Sequence, residues 1–258
     1  MKGKPLKKKR ITITGLSGNI GHILYAGLKS KWEISGVDII ESAELPVTLV
    51  DINDYNSIGD AFNEAYAVIH LAANAYAGAD WENIIGPNII GTQNVFRAAR
   101  ESGVKKIIFA SSNHVTGLYE KDEPYLSIVT GKYENLDPAD IPQIDHKTPV
   151  RPDGYYGVSK VFGEALGRYY SEKYKIQVFC IRLGSVSLKN RPFDVRQYAT
   201  LLMHSDLVKL VDKCLKNNTV RYAIFYGVSN NTWKFWDTSH IKDCLGWGPE
   251  ENAEKFRA

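Results

Sequence analysis

The sequence predicts an α/β fold: a doubly wound parallel sheet with a small C-terminal appendage. Short β-rich apolar runs alternate with longer segments of helical period along the chain. That rhythm means βαβ crossovers and a sheet covered on both faces. Three glycines, Gly15, Gly18 and Gly21, follow the first such run and open the first helical segment. The 258 residues also suffice for one full core, which suits a single large domain with a small extension.

"RITIT" is the first strand, and a helix is expected from Asn19 to Lys31. "EISGVDI" and "VTLVDI" follow as strands, "YNSIGDAFNEA" as a helix and "AVIHLAA" as the fourth strand. "WENIIGPNIIGTQNVFRAARESG" keeps a helical period and reads as one long helix despite Pro87. The strand "KKIIFASS", the helix "YYGVSKVFGEALGRYYSEKY" and the strand "IQVFCIRL" come next. The last part holds a helix near "SDLVKLVDKCLKN", the strand "VRYAIFYG" and a short helix near "TSHIKDCLG". Only Leu118 to Arg151 breaks the rhythm, being rich in Pro, Asp, Glu and Lys without a clean period. So long an irregular stretch is either a functional lid or an ordered insertion.

Hydrophobic content of 44% with 24% charged residues is ordinary for a soluble globular chain. No apolar run reaches the roughly 18 residues of a membrane-spanning helix, and no apolar stretch follows the N-terminal charges as in a signal peptide. Cys180, Cys214 and Cys244 are scattered without metal-like spacing, so reduced thiols, a cytoplasmic location and no metal are expected. Much of the net charge of +3 comes from Lys2, Lys4, Lys7, Lys8, Lys9 and Arg10. No second basic patch with aromatics follows, so residues 1–10 read as a solvated basic tail and nucleic acid is not an expected partner.

The glycines sit where strand gives way to helix, which is the context that makes such a motif informative. One glycine permits the tight turn, one lets backbone approach a pyrophosphate, and one lets helix pack on strand. The backbone N–H groups of Asn19 and Ile20 at the helix start then face the phosphates with the positive end of the helix dipole. Asp38, 17 residues past Gly21 at the end of the second strand, can accept hydrogen bonds from ribose hydroxyls and would repel a 2′-phosphate. NAD is therefore expected over NADP. Asp51 and Ile52 end the third strand near the adenine, and Leu71, Ala72 and Ala73 end the fourth, where the cofactor should cross the sheet edge. His70 is read as structural. Residues 11–258 thus form one Rossmann-like, NAD-binding domain, with substrate elements expected at 118–152 and 184–258.

Tyr156 and Lys160, four apart in "YYGVSK", lie on one helix face. A lysine charge favours tyrosinate and lowers a phenol pKa that is otherwise near 10. Such a tyrosine can take a hydroxyl proton as hydride leaves for nicotinamide. Tyr155 misses the lysine spacing by one residue, and Tyr170 in "YSEK" reads as part of a polar helix face. Ser112, at the end of the fifth strand on the edge where open α/β sheets bind ligands, can hydrogen-bond the reacting oxygen. Ser111 is expected to serve the backbone turn.

"TGLSGNIG", Asp38, Ser112 and "YGVSK" together resemble the extended short-chain dehydrogenase/reductase family from about Ile11 to Leu183. The resemblance implies a Ser–Tyr–Lys catalytic group of Ser112, Tyr156 and Lys160, with Asn88 as the family's helical asparagine beside the cofactor. Only 73 residues follow Ser185, little to enclose a nucleotide sugar. "FASSNH", "RPDGYYGVSKVFGE", "IRLGS", "YGVSNNTWKFWDTSH" and "LGWGPEENAEKFR" are more specifically similar to the uronate dehydrogenases, which oxidise C1 of hexuronates to aldarolactones with NAD. That resemblance implies substrate contacts from Ser112, Asn113, His114, Ser185 and Arg196, with Arg196 forked on the carboxylate, and a homodimer built on the long helices flanking the fifth strand. The length of Leu118–Arg151 and the "ANAYAGADW" segment instead resemble archaeal NAD-dependent glucose-6-phosphate dehydrogenases, which oxidise C1 of a sugar phosphate. An epimerase or dehydratase of nucleotide sugars and a non-catalytic dinucleotide-binding protein are the other classes. The last predicts a damaged Ser, Tyr or Lys, and all three are intact.

Overall fold

Residues 10–14, Arg-Ile-Thr-Ile-Thr, bury Ile11 and Ile13 on one face and Thr12 and Thr14 on the other completely, as a strand covered on both faces requires. This strand, β1 (Arg10–Thr14), lies in the middle of the sheet of the computed structural model, which describes residues 8–257. Of the basic tail, residues 1–7 lie outside the described residues, and Arg10 already belongs to β1. The other strands are β2 (Glu33–Asp38), β3 (Val47–Leu49), β4 (Ala67–His70), β5 (Lys106–Ser112), β6 (Gln177–Leu183) and β7 (Tyr222–Gly227). Their order is β3-β2-β1-β4-β5-β6-β7 and every pairing is parallel. The chain therefore reverses direction across the sheet between β1 and β4, which opens a crevice at their C-terminal ends.

The helices are α1 (Asn19–Leu28), α2 (Tyr55–Ile58), α3 (Trp81–Ile84), α4 (Gly91–Glu101), α5 (Tyr125–Thr130), α6 (Tyr155–Tyr174), α7 (Gln197–Thr200), α8 (His204–Lys216) and α9 (Ser239–Leu245). One core packs Leu24 and Leu28 of α1 and Leu207 and Leu210 of α8 against Ile11, Ile13 and Phe179. The opposite core packs Val95 and Phe96 of α4 and Tyr170 of α6 against Phe109 and Val178. Tyr170 is thus a core residue, its ring 5.3 Å from that of Phe96, and not part of a polar helix face.

Three other expectations shift. The third strand stops at Leu49, so Asp51 and Ile52 lie in the turn beyond it. The long helix around Pro87 is continuous only through a π segment, Ile85–Ile90, between α3 and α4. A proline ring cannot fit an ordinary α-turn, and the wider π turn relieves the clash. The 118–151 stretch is an ordered insertion: Tyr125, Ile128, Ile141 and Ile144 form a satellite core with Tyr226, Phe235 and Trp236. Ile144 N–H also donates to the Phe235 carbonyl at 2.8 Å. The segment after β6 contributes Gly184, Ser185, Val186 and Arg196 to the wall of the cavity at this edge of the sheet, and no residue of the insertion itself lines it.

Candidate active site

Gly15 turns the chain out of β1 with φ +75°, a left-handed conformation that favours glycine. A Cβ there would also lie 2.8 Å from the Ala72 nitrogen. At Gly21 a Cβ would stand 2.2 Å from the Leu16 carbonyl oxygen, so this glycine sets how closely α1 packs on the turn. Gly18 precedes α1, and no side chain caps the helix. Its first N–H groups, at Asn19 and Ile20, face a cavity of about 740 Å³ lined by Gly15, Gly18, Asn19, Ile20 and Gly21.

Asp38 lines the same cavity. Its Oδ2 accepts from Ser17 N–H at 2.9 Å and its Oδ1 from Ile40 N–H at 3.1 Å. These bonds fix the carboxylate and leave lone pairs for a diol. Asp51, Ile52, Leu71, Ala72 and Ala73 also line it, although Asp51 Oδ1 already accepts from the Asn53 backbone and side chain, both at 2.9 Å. His70 is structural: buried, with Nδ1 2.8 Å from Thr14 Oγ1 and Nε2 3.1 Å from Thr92 Oγ1. Burial first, and the nearby Lys160 charge second, push its pKa down to about 3. The glycine cradle, the uncapped helix and the fixed carboxylate fit a dinucleotide. Asn88 does not face it. Its Oδ1 accepts from Asn74 N–H at 2.7 Å and its Nδ2 donates to Ser159 Oγ at 3.0 Å, because the π segment turns this residue toward α6. Asn88 ties the β4 loop to the Tyr156 helix and is not a cavity residue.

At the far end of the cavity stand Tyr156 and Lys160, both buried on α6. Lys160 Nζ lies 5.4 Å from the Tyr156 ring centre and 5.1 Å from that of Phe109. Burial pulls the lysine pKa down to about 7. It also pushes the phenol above its ordinary value, an effect that the facing Ser112 hydroxyl opposes. The expected lowering of the phenol by lysine is thus overridden, since burial disfavours both charged forms.

Ser112 is buried and is not on the cavity surface. Its hydroxyl donates to Asn113 Oδ1 at 3.3 Å and accepts from His114 N–H at 3.2 Å. Asn113 lines the cavity, and its Nδ2 is a buried donor without a partner, a costly state unless a ligand accepts from it. His114 also lines it, with Nδ1 2.7 Å from Asp153 Oδ2. Ser111 does not serve the turn: its hydroxyl donates to Glu164 Oε1 at 2.6 Å. Glu164 in turn holds Arg182 in a buried bidentate pair, with both bonds at 2.9 Å.

Ser185 and Arg196 complete the wall. Ser185 Oγ lies 2.9 Å from Thr200 Oγ1 and 3.3 Å from Arg196 Nη1. The expected fork of Arg196 is not free. Its Nε and Nη2 donate to Glu120 Oε2 and Oε1 at 2.6 and 2.7 Å. Burial opposes the arginine charge, and the Glu120 carboxylate more than offsets this, raising its pKa. The Nη1 edge, beside Ser185, is what remains toward the cavity. Glu120, Asp153 and the Glu164–Arg182 pair carry no spacing signal in the sequence. Asp153 and Glu164 lie within "RPDGYYGVSKVFGE" and Arg182 within "IRLGS", but nothing in these runs pairs them, and Glu120 has no such hint.

A sheet of this order, with a glycine cradle at one end of a crevice and Ser, Tyr and Lys grouped at the other, defines a dinucleotide-dependent oxidoreductase-type domain. Residues 11–217 match the NAD dependent epimerase/dehydratase family, and the chain belongs to it. The chain is 35% identical over 255 residues to a uronate dehydrogenase of Pseudomonas putida, covering 96% of this chain and 87% of that protein. It is 31% identical over 257 residues to an NAD-dependent glucose-6-phosphate dehydrogenase of Haloferax volcanii, covering 95% of each. A crystal structure of a mutant uronate dehydrogenase from Agrobacterium tumefaciens complexed with NAD superposes with a TM-score of 0.81 at 30% identity, covering 96% of this chain and 87% of that one. Among the described residues no helix is long and apolar enough to cross a membrane, and no cluster of His, Cys, Asp or Glu could hold a metal ion.

Proposed function

We propose that this chain oxidises the C1 hydroxyl of a hexuronate, glucuronate or galacturonate, to the aldarolactone with NAD. The observation that carries the reading is one continuous cavity, with the glycine cradle and Asp38 at one end and Asn113, Tyr156 and the Nη1 edge of Arg196 at the other. The named relatives, and the NAD complex of one of them, support it over nearly the whole chain.

NAD, when bound, supplies the hydride acceptor. The residues of the chain do the rest. Asp38 and the first N–H groups of α1 hold the ribose and pyrophosphate. The unpartnered Asn113 amide fixes a sugar oxygen, and Ser185 with Arg196 receives the group at C5. Tyr156 takes the O1 proton as the tyrosinate, which the Ser112 hydroxyl favours and which Lys160 would favour in its protonated form. The substrate elements at 118–152 and 184–258 contribute Glu120, Ser185 and Arg196.

Glucose 6-phosphate is the second reading. The Haloferax relative matches from end to end, and the donors of Arg196 and Ser185 also suit a phosphate. The cytoplasm is the proposed location, in keeping with three free cysteines. A homodimer through α6 and the π segment that leads into α4 is supported by exposed Ile85 and Ile90 on that segment and exposed Val158 and Tyr169 on α6. NADH formation on glucuronate, galacturonate and glucose 6-phosphate side by side tests the function. Turnover of the sugar phosphate alone would refute the hexuronate reading and leave C1 oxidation standing.

A further inference from the structure

Arg196 meets the cavity with its charge already matched. Its Nε and Nη2 hold both oxygens of Glu120 at 2.6 and 2.7 Å, the bidentate geometry in which such pairs are strongest. The two side chains are only 29% and 13% exposed, so water and salt screen this pair less than a surface pair. The pair is also built in: Glu120 arrives on the ordered insertion, and Arg196 sits immediately before α7, whose Ala199 packs in the same satellite core as Tyr125 of that insertion. What reaches the cavity from Arg196 is directional N–H donation, at Nη1 beside Ser185, with little net charge behind it.

A carboxylate and a hydroxymethyl group at C5 of a pyranose differ little in size and by one unit of charge. An unpaired guanidinium would favour the carboxylate strongly, since a charged pair in a partly shielded site far exceeds its value in water. A neutralised one offers nearly the same donors to a hydroxyl oxygen, while the carboxylate behind it repels an anion. We propose that Glu120 is a specificity-determining residue that, by balancing Arg196, admits neutral aldoses alongside sugar acids. The inference rests on the C1-dehydrogenase reading above. The reaction stays the same for either substrate. The C1 hydrogen leaves as hydride to NAD, the O1 proton passes to Tyr156, and C1 becomes the lactone carbonyl.

The test measures kcat/KM for NADH formation on glucuronate against glucose, and on galacturonate against galactose. It uses the unchanged chain and Glu120→Gln, which keeps the size of the side chain and removes its charge. The unchanged chain is expected to turn over the uronate and its neutral partner within about tenfold of each other, and Glu120→Gln to move the ratio toward the uronate by about tenfold or more. A parent ratio beyond that range overturns the proposal on its own, even if the variant does not fold. So does an unmoved ratio in a Glu120→Gln protein with the parent's melting temperature. Absence of turnover on all four sugars would instead overturn the hexuronate reading, and this inference with it.

Discussion

Lys160 Nζ lies 5.4 Å from the centre of the Tyr156 ring, one turn along the same buried face of α6. Burial holds the lysine at about 7, so that it is only partly charged at neutral pH, and raises the phenol, so that its surroundings alone keep it neutral. The phenol is nonetheless the acid–base group best placed for a sugar hydroxyl at this end of the cavity. Tyr156→Phe should lower kcat by about 10²–10⁴-fold, the scale for loss of a positioned acid–base group. NAD affinity, measured by calorimetry, should change little. Retention of more than half the activity would show the proton goes elsewhere.

Asp38 should make NAD strongly preferred over NADP. Its carboxylate is pinned by the Ser17 and Ile40 N–H groups, so it cannot swing away from a 2′-phosphate. Asp38→Ala should narrow the preference from both sides, through lost ribose hydrogen bonds and lost repulsion. The ratio of kcat/KM for the two cofactors checks this, and equal use of both by the unchanged chain would contradict it.

His70 gives the fold a pH dependence with a definite sign. Its pKa is held at about 3 in the folded chain, against about 6.5 when unfolded. Below pH 6.5 the unfolded chain binds a proton that the folded chain refuses. The stability from this group is therefore complete above pH 6.5 and is lost as pH falls toward 3. Between pH 6.5 and 4.5 the loss should reach about 2–3 kcal/mol. Urea midpoints at both pH values should fall more steeply for the unchanged chain than for His70→Gln; identical slopes would contradict the assignment.

Most of the sheet and the cofactor end were legible because each rests on local signals. Runs such as Lys106–Ser112 are buried along their whole length, and the glycines act within one turn. The substrate end was not. Glu120 is one of several acids within Leu118–Glu123, and only the satellite core, drawing on Phe235 and Trp236 more than a hundred residues away, decides which of them reaches Arg196. At Asn88, Pro87 in "GPNII" signals a disturbed helix but not the direction in which the π segment turns the asparagine, toward Ser159 rather than the cofactor. Ser111 and Ser112 are adjacent and alike in sequence. A carboxylate on another element, Glu164, separates their roles. The Tyr156–Lys160 spacing implies a fixed lysine charge, whereas burial, a tertiary property, sets its protonation.

The most direct measurement of the central claim, hydride removal from C1 of a hexuronate, uses glucuronate deuterated at C1 with unlabelled NAD. The expected result is deuterium on the nicotinamide C4 of the reduced cofactor, a primary isotope effect on single-turnover NADH formation, and a lactone carbonyl at C1 in the product by NMR. Reduced cofactor without deuterium, or no reduced cofactor from glucuronate or galacturonate at any concentration tested, would contradict it.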